Sequence, residues 1–189
     1  MSLKFASGGA VMVVLLALVI SVLAQTPSES DRARRAALRM VNAREIPEAT
    51  LACTPEEAKW WQELRQAAKA VQETRGGKRE KRKYLALLQV GQEKSYQLPI
   101  PDQGALVLSR SEPKYSEAAM NKQIKGTIAL VLELRPDGYV GEVEVVQGLG
   151  YGLDQNAIDA AHGTVFLPKV KNRKFERFLL PATMSFNVY

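Results

Sequence analysis

Side chains able to carry covalent or metal chemistry are sparse in this sequence. The single histidine, His162, and the single cysteine, Cys53, stand about a hundred residues apart. A nucleophile needs a base within hydrogen-bond reach, and a metal needs convergent ligands. This pair offers neither. His162 precedes Gly163 at a predicted helix end, the setting of a capping or surface residue rather than a catalyst. Cys53 has no partner for an intramolecular disulfide and reads as a small buried apolar residue. Glu142 and Glu144 lie two apart, hence on one strand face, where equivalent exposed carboxylates have no reason for the separated pKa values that acid–base work requires. Gly148, Gly150 and Gly152 suggest a phosphate-cradling loop, yet no lysine follows at the helix start. No catalytic residue, metal ligand or cofactor is therefore assigned, and the chain reads as a binding protein, not an enzyme.

The formal charge of +6 is concentrated in one run, Arg75, Lys78, Arg79, Lys81, Arg82 and Lys83. The ordinary reading of such a run is a solvated helix end. The functional reading is contact with anionic lipid headgroups or an acidic cell-wall polymer. Only Tyr84 stands beside it for base stacking, so nucleic acid is not expected as a partner.

The N-terminus positions everything else. Lys4 precedes an uncharged stretch from Phe5 to Ser28 whose apolar centre runs from Ala10 to Leu23. That centre suits a signal peptide, with Val22, Leu23 and Ala24 as a passable cleavage site before Gln25. The wider stretch Phe5 to Ala24 could instead span a bilayer, although Arg32, Arg34 and Arg35 beyond it do not follow the positive-inside tendency. Either way residues 1–24 target a membrane, and the remaining chain is expected outside the cytoplasm, secreted to the periplasm or anchored in the inner membrane. That leaves room for one good core and a smaller helical region.

Residues 25–104 read as helical. A first helix is predicted over Ser30 to Arg44, with Ala33, Ala37, Leu38 and Val41 in register, stopping before Pro47. A second begins at Thr54 as N-cap with Pro55 at the first helical position and Glu57 closing a capping box. It runs to about Thr74, gathers Trp60, Trp61, Leu64, Ala67, Ala68 and Val71 on one face, and stops at Gly76 and Gly77. A third, roughly Arg79 to Val90, supplies Tyr84, Leu87 and Leu88. The pair reads as a helical hairpin burying its own tryptophans, with a docking face for another envelope protein as the alternative. Tyr96 to Gly104, containing Pro99 and Pro101, reads as a hinge and places a domain boundary near residue 105.

Residues 105–189 change pattern. Gly126 to Arg135 alternates, with Ile128, Leu130, Leu132 and Leu134 on one face, and Arg135, Pro136, Asp137 and Gly138 form a tight turn. The return strand, Val140 to Gln147, turns Val143 and Val145 inward and Glu142 and Glu144 outward. A helix from Leu153 carries Ala157, Ile158 and Ala161 as an apolar stripe that covers the sheet. The final strand, Phe178 to Tyr189, alternates Met184, Phe186 and Val188 with Thr183, Ser185 and Asn187.

From Glu112 to Tyr189 these residues resemble the TonB C-terminal domain family. The ordered set that carries the likeness is Pro113 and Tyr115 with Ala118 and Ala119, Gly126 before the first strand, Pro136, Asp137 and Gly138 in the hairpin, and Phe166 and Pro168 after the second helix. Two positions depart from the pattern: Ser116 replaces a usual second proline, and Thr164 an often-seen tryptophan. The resemblance implies an α+β domain, a three-stranded antiparallel sheet with two helices, preceded here by the helical region and the membrane-targeting segment. It also implies work on outer-membrane transporters, whose TonB-box-like segment pairs with the domain's last strand, and coupling to proton-driven inner-membrane motor proteins. Motor-coupled relatives carry a serine and a histidine a turn later in the membrane helix; here Ser21 has no such histidine. A periplasmic structural or adaptor module without motor coupling is the alternative.

In that family the last strand lies at a sheet edge, and Pro181 agrees with this, since proline lacks the N–H a central strand needs. Thr183, Ser185, Asn187 and Tyr189 are then the expected partner-binding positions.

Overall fold

A computed structural model describes residues 45–187. The membrane-targeting segment, the helix predicted over Ser30 to Arg44, and Tyr189 lie outside the described residues. Among the described residues no helix is long and apolar enough to cross a membrane.

Helix α1, Pro55–Glu73, begins as its sequence dictates. Glu57 N–H donates to Thr54 Oγ1 at 3.2 Å, and Thr54 N–H donates to Glu57 Oε2 at 2.8 Å. The other Glu57 oxygen accepts Gln97 N–H at 2.9 Å. These N–H groups, Thr54 first and Gln97 second, hold the Glu57 carboxyl below its ordinary range. After Thr74 the chain reverses through Gly76, whose φ of +87° favours glycine, and enters α2, Lys78–Glu93.

The two helices bury the face predicted for them: Trp60, Trp61, Leu64, Ala67, Ala68 and Val71 from α1, Tyr84 and Leu88 from α2. Gly91 sits inside α2 at a propensity cost of about 1 kcal/mol relative to alanine. The reason is contact, because a Cβ there would stand 2.1 Å from Trp60 Cζ2. The indole that fills this space donates from Nε1 to the Leu87 carbonyl at 2.8 Å.

The helical pair does not close its core alone. Strand β1, Leu106–Ser109, pairs antiparallel with β4, Val165–Leu167. Leu106, Leu108, Val165 and Leu167 from this ribbon share one buried cluster with α1 and α2. Tyr84 binds the two parts by donating its hydroxyl to the Phe166 carbonyl at 2.9 Å. Burial pushes the Tyr84 phenol well above its ordinary pKa and keeps it a neutral donor.

The segment between helices and ribbon is packed. Leu98, Pro99 and Ile100 are buried, Thr50 and Leu51 donate to the Pro99 carbonyl, and Gln103 pairs with Val170. A short hairpin, β5 Lys169–Lys171 and β6 Lys174–Glu176, turns at Asn172 and Arg173, both with positive φ. The Arg173 guanidinium ties this turn back to the carbonyls of Leu98 at 3.0 Å and Ala52 at 2.7 Å. Cys53, expected to be buried, is half-buried, because it lies in the stretch just before the Thr54 cap rather than within a packed element.

A second buried cluster belongs to the three-stranded sheet of β2 Gly126–Leu134, β3 Val140–Gln147 and β7 Phe178–Phe186, antiparallel in the order β3-β2-β7. Ile128, Leu130, Leu132 and Leu134 form its buried face, as the alternation predicts. Helix α3, Glu117–Asn121, contributes Ala119, and α4, Leu153–His162, contributes Leu153, Ala157 and Ala161. The stripe residue Ile158 is only half-buried. The α+β class expected from the sequence is thus what the chain adopts, with the β1–β4 ribbon and the β5–β6 hairpin in addition.

Candidate functional site

Two strands end this sheet, β3 and β7, and they differ as edges. β3 is irregular: its pairing with β2 shifts register twice, between Ala129 and Leu130 and between Leu132 and Leu134. It also displays exposed Glu142 and Glu144, and charges and bulges are the devices by which proteins blunt edges. β7 has neither charge nor bulge, and Pro181 is the one blunting residue it carries. It pairs with β2 in unbroken register from Gly126↔Phe186 to Leu134↔Phe178, and no charged residue stands between Phe178 and Asn187.

Side chains along β7 alternate cleanly. Leu180 and Phe186 are buried and Ala182 and Met184 pack against the same core, whereas Leu179, Pro181, Thr183, Ser185 and Asn187 are exposed. Backbone groups follow the same period. Pro181, opposite Val131, has no N–H to give to β2, so its position belongs to the pairs that are not hydrogen-bonded across that ladder. With no register shift, Thr183 and Ser185 share its direction and aim N–H and C=O away from β2. Thr127 and Ser185 hydroxyls lie 3.3 Å apart on the wet face.

Beside the core face of β7 lies a cleft of about 180 Å³, lined by Leu180, Ala182 and Met184 with Val107, Pro113 and Thr164. Thr164, one of these lining residues, is buried. Ser116, the other departure, caps α3: its Oγ accepts from Ala119 N–H at 3.1 Å and donates to the Tyr151 carbonyl at 2.6 Å.

Residues 111–188 match the family model described as Gram-negative bacterial TonB protein C-terminal. Residues 111–188 are a TonB C-terminal domain. Among solved structures, the chain is similar to the Pseudomonas aeruginosa TonB C-terminal domain, at 19% identity and a TM-score of 0.38 over 44% of this chain and 86% of that one. It is also similar to the Helicobacter pylori TonB C-terminal domain, at 22% identity and a TM-score of 0.31 over 40% of this chain and 80% of that one. No curated protein matches the chain.

Within the TonB domain the family-pattern residues hold the frame. Tyr115 donates its hydroxyl to the Ile124 carbonyl and sets its ring edge-on to Phe186, centroids 5.5 Å apart. Gly126 opens β2 where a Cβ would meet the Leu149 side chain. Asp137 Oδ2 takes Arg135 at 2.6 Å while Oδ1 accepts Tyr139 N–H at 3.1 Å, and Gly138 supplies the positive φ of 83° that the turn needs. Phe166 and Pro168 are buried and Pro113 is half-buried. Thr183, Ser185 and Asn187 stand together on the exposed side of the edge strand.

Residues weighed for chemistry lie apart from this edge strand. His162 is exposed at the last position of α4. The Gly148–Gly152 connection is occupied from within, because the Asp154 carboxylate accepts Leu149 N–H at 2.8 Å and Gly150 N–H at 3.2 Å, the groups a phosphate would use. Among the described residues no three His, Cys, Asp or Glu side chains gather in a metal-binding cluster. The β5–β6 hairpin leaves a faint mark in the sequence, the alternation of Lys169, Val170 and Lys171, whereas the β1–β4 ribbon leaves none in Val165–Leu167, all three of which are buried.

Proposed function

We propose that this is a TonB-like envelope protein without covalent chemistry, which binds outer-membrane transporters by adding a segment of theirs to the free edge of β7 and so passes on energy for transport. The observation that carries the reading is the edge itself: nine paired positions in unbroken register, without charge or bulge, ending a sheet whose other edge has both. Affinity in such an arrangement comes from main-chain hydrogen bonds to positions 183, 185 and 187; Tyr189, also expected to bind, lies outside the described residues. A second reading, an envelope adaptor without motor coupling, draws support from the leader, where Ser21 has no histidine a turn away.

Photo-crosslinking in cells tests the proposal. With a photoreactive residue at position 183 the full chain is expected to give an adduct with an outer-membrane transporter, and at position 144, on the opposite edge, it is expected to give none. Adducts from position 144 alone, or from neither position, would remove strand addition at β7.

A further inference from the structure

A groove of about 700 Å³ runs between one face of α2 and the β2–β3 turn. Its α2 wall repeats at helical spacing from Lys78 to Gln92, a length of about 21 Å at 1.5 Å per residue. The wall is graded: Lys78, Lys81 and Arg82 line one end, Leu85 and Ala86 the middle, and neutral glutamines the far end. There Gln92 donates to the Pro136 carbonyl and closes the groove. Across from the middle stands Tyr139, 54% exposed, an aromatic ring with little of its own fold to cover it.

The cations at the open end are not balanced within the described residues. None of the four ion pairs found there includes Lys78, Lys81 or Arg82. Lys81 reaches only the Gly163 carbonyl, at 3.4 Å. The one carboxylate lining the groove, Asp137, is already held by Arg135 and by the Tyr139 N–H. A ligand that brings carboxylates to this end therefore meets uncompensated positive charge.

Shape and grading decide among anionic partners. A bilayer surface is flat and does not enter a groove, and a uniformly charged cell-wall polymer would leave the apolar middle and neutral end unmatched. We infer that the groove binds an acidic peptide segment of a protein partner, with carboxylates at the Lys78 end and an apolar side chain between Leu85 and Tyr139.

A synthetic peptide of sequence Glu-Glu-Asp-Ser-Leu-Leu-Gln-Ser-Gln, titrated into the full chain, tests this against the same residues with the acidic side chains dispersed, Glu-Ser-Leu-Gln-Asp-Ser-Leu-Gln-Glu. The forward peptide is expected to bind, and Lys78→Gln with Arg82→Gln to weaken it about tenfold, the scale of two charge-assisted contacts. Arg79→Gln with Lys83→Gln removes equal charge from the cleft on the other side of α2 and is expected to change binding less than about twofold. Tyr139→Ala is expected to weaken binding with thermal melting unchanged. Equal effects of the two double variants, equal binding of the dispersed peptide, or no binding of either would overturn the inference. So would association with phosphatidylglycerol vesicles or purified cell-wall polymer, in place of the peptide, that depended on Lys78 and Arg82.

Discussion

Phe186→Pro is expected to unfold the TonB C-terminal domain, whereas Ser185→Pro, one residue earlier, is expected to leave it folded and unable to bind a transporter segment. Phe186 is 2% exposed, packs against Tyr115, and pairs with Gly126 at the start of β2. Removing its side chain costs about 3–5 kcal/mol. The lost ladder hydrogen bond adds about 1 kcal/mol, and the proline ring strains a paired position further. Against a total stability of about 5–15 kcal/mol, that sum removes most of the margin. Ser185 shares the outward direction of Pro181, a proline this strand already accommodates, and gives up only an exposed 3.3 Å hydroxyl contact with Thr127. Circular dichroism separates the two variants, and a titration with a transporter segment reads binding in the folded one. Full binding by folded Ser185→Pro would exclude the β7 edge, and unfolding of that variant would show that its amide serves the β2 ladder.

A chain beginning at Leu106 is expected to lose its cooperative thermal transition or melt far below the full protein. Leu106, Leu108, Val165, Leu167 and Val170 are each at most 7% exposed and are covered by α1, α2 and the packed segment around Leu98 and Ile100. Baring a buried aliphatic side chain costs about 1.5–3 kcal/mol, so five of them outweigh the stability of an ordinary small domain. Tyr84 would also leave the Phe166 carbonyl without its donor. Thermal melting of the two chains measures the effect. Equal melting temperatures would mean that the helical pair is a passenger on the TonB domain.

The capping box at Thr54 and Glu57, the tryptophan face, and the strands at residues 126–134 and 140–147 are local patterns, and the chain adopts them nearly residue for residue. β7 begins at the expected Phe178, and Pro181 already carried information about its place in the sheet. The ribbon was not legible, because three-residue Val165–Leu167 is too short to show a period and its partner lies sixty residues away in sequence. The role of Tyr96 to Gly104 was hidden for a related reason. Pro99 and Pro101 rule out regular structure but say nothing about burial, which depends on Arg173 and Val170 arriving from far along the chain. For the candidate site, the free edge follows from one proline and an uncharged strand, whereas the contrast with bulged β3 needed the register itself.

Amide hydrogen exchange read residue by residue reports whether β7 accepts a strand. In the free full chain the Ala182 and Met184 amides are expected to exchange slowly, because they face β2, and the Thr183 and Ser185 amides quickly, because they face outward. On saturation with the N-terminal segment of a transporter captured from position 183, exchange at Thr183 and Ser185 is expected to slow at least tenfold, while Ala182 and Met184 stay as they were. Saturated binding with Thr183 and Ser185 still exchanging at their free rates would mean that the segment does not pair with β7.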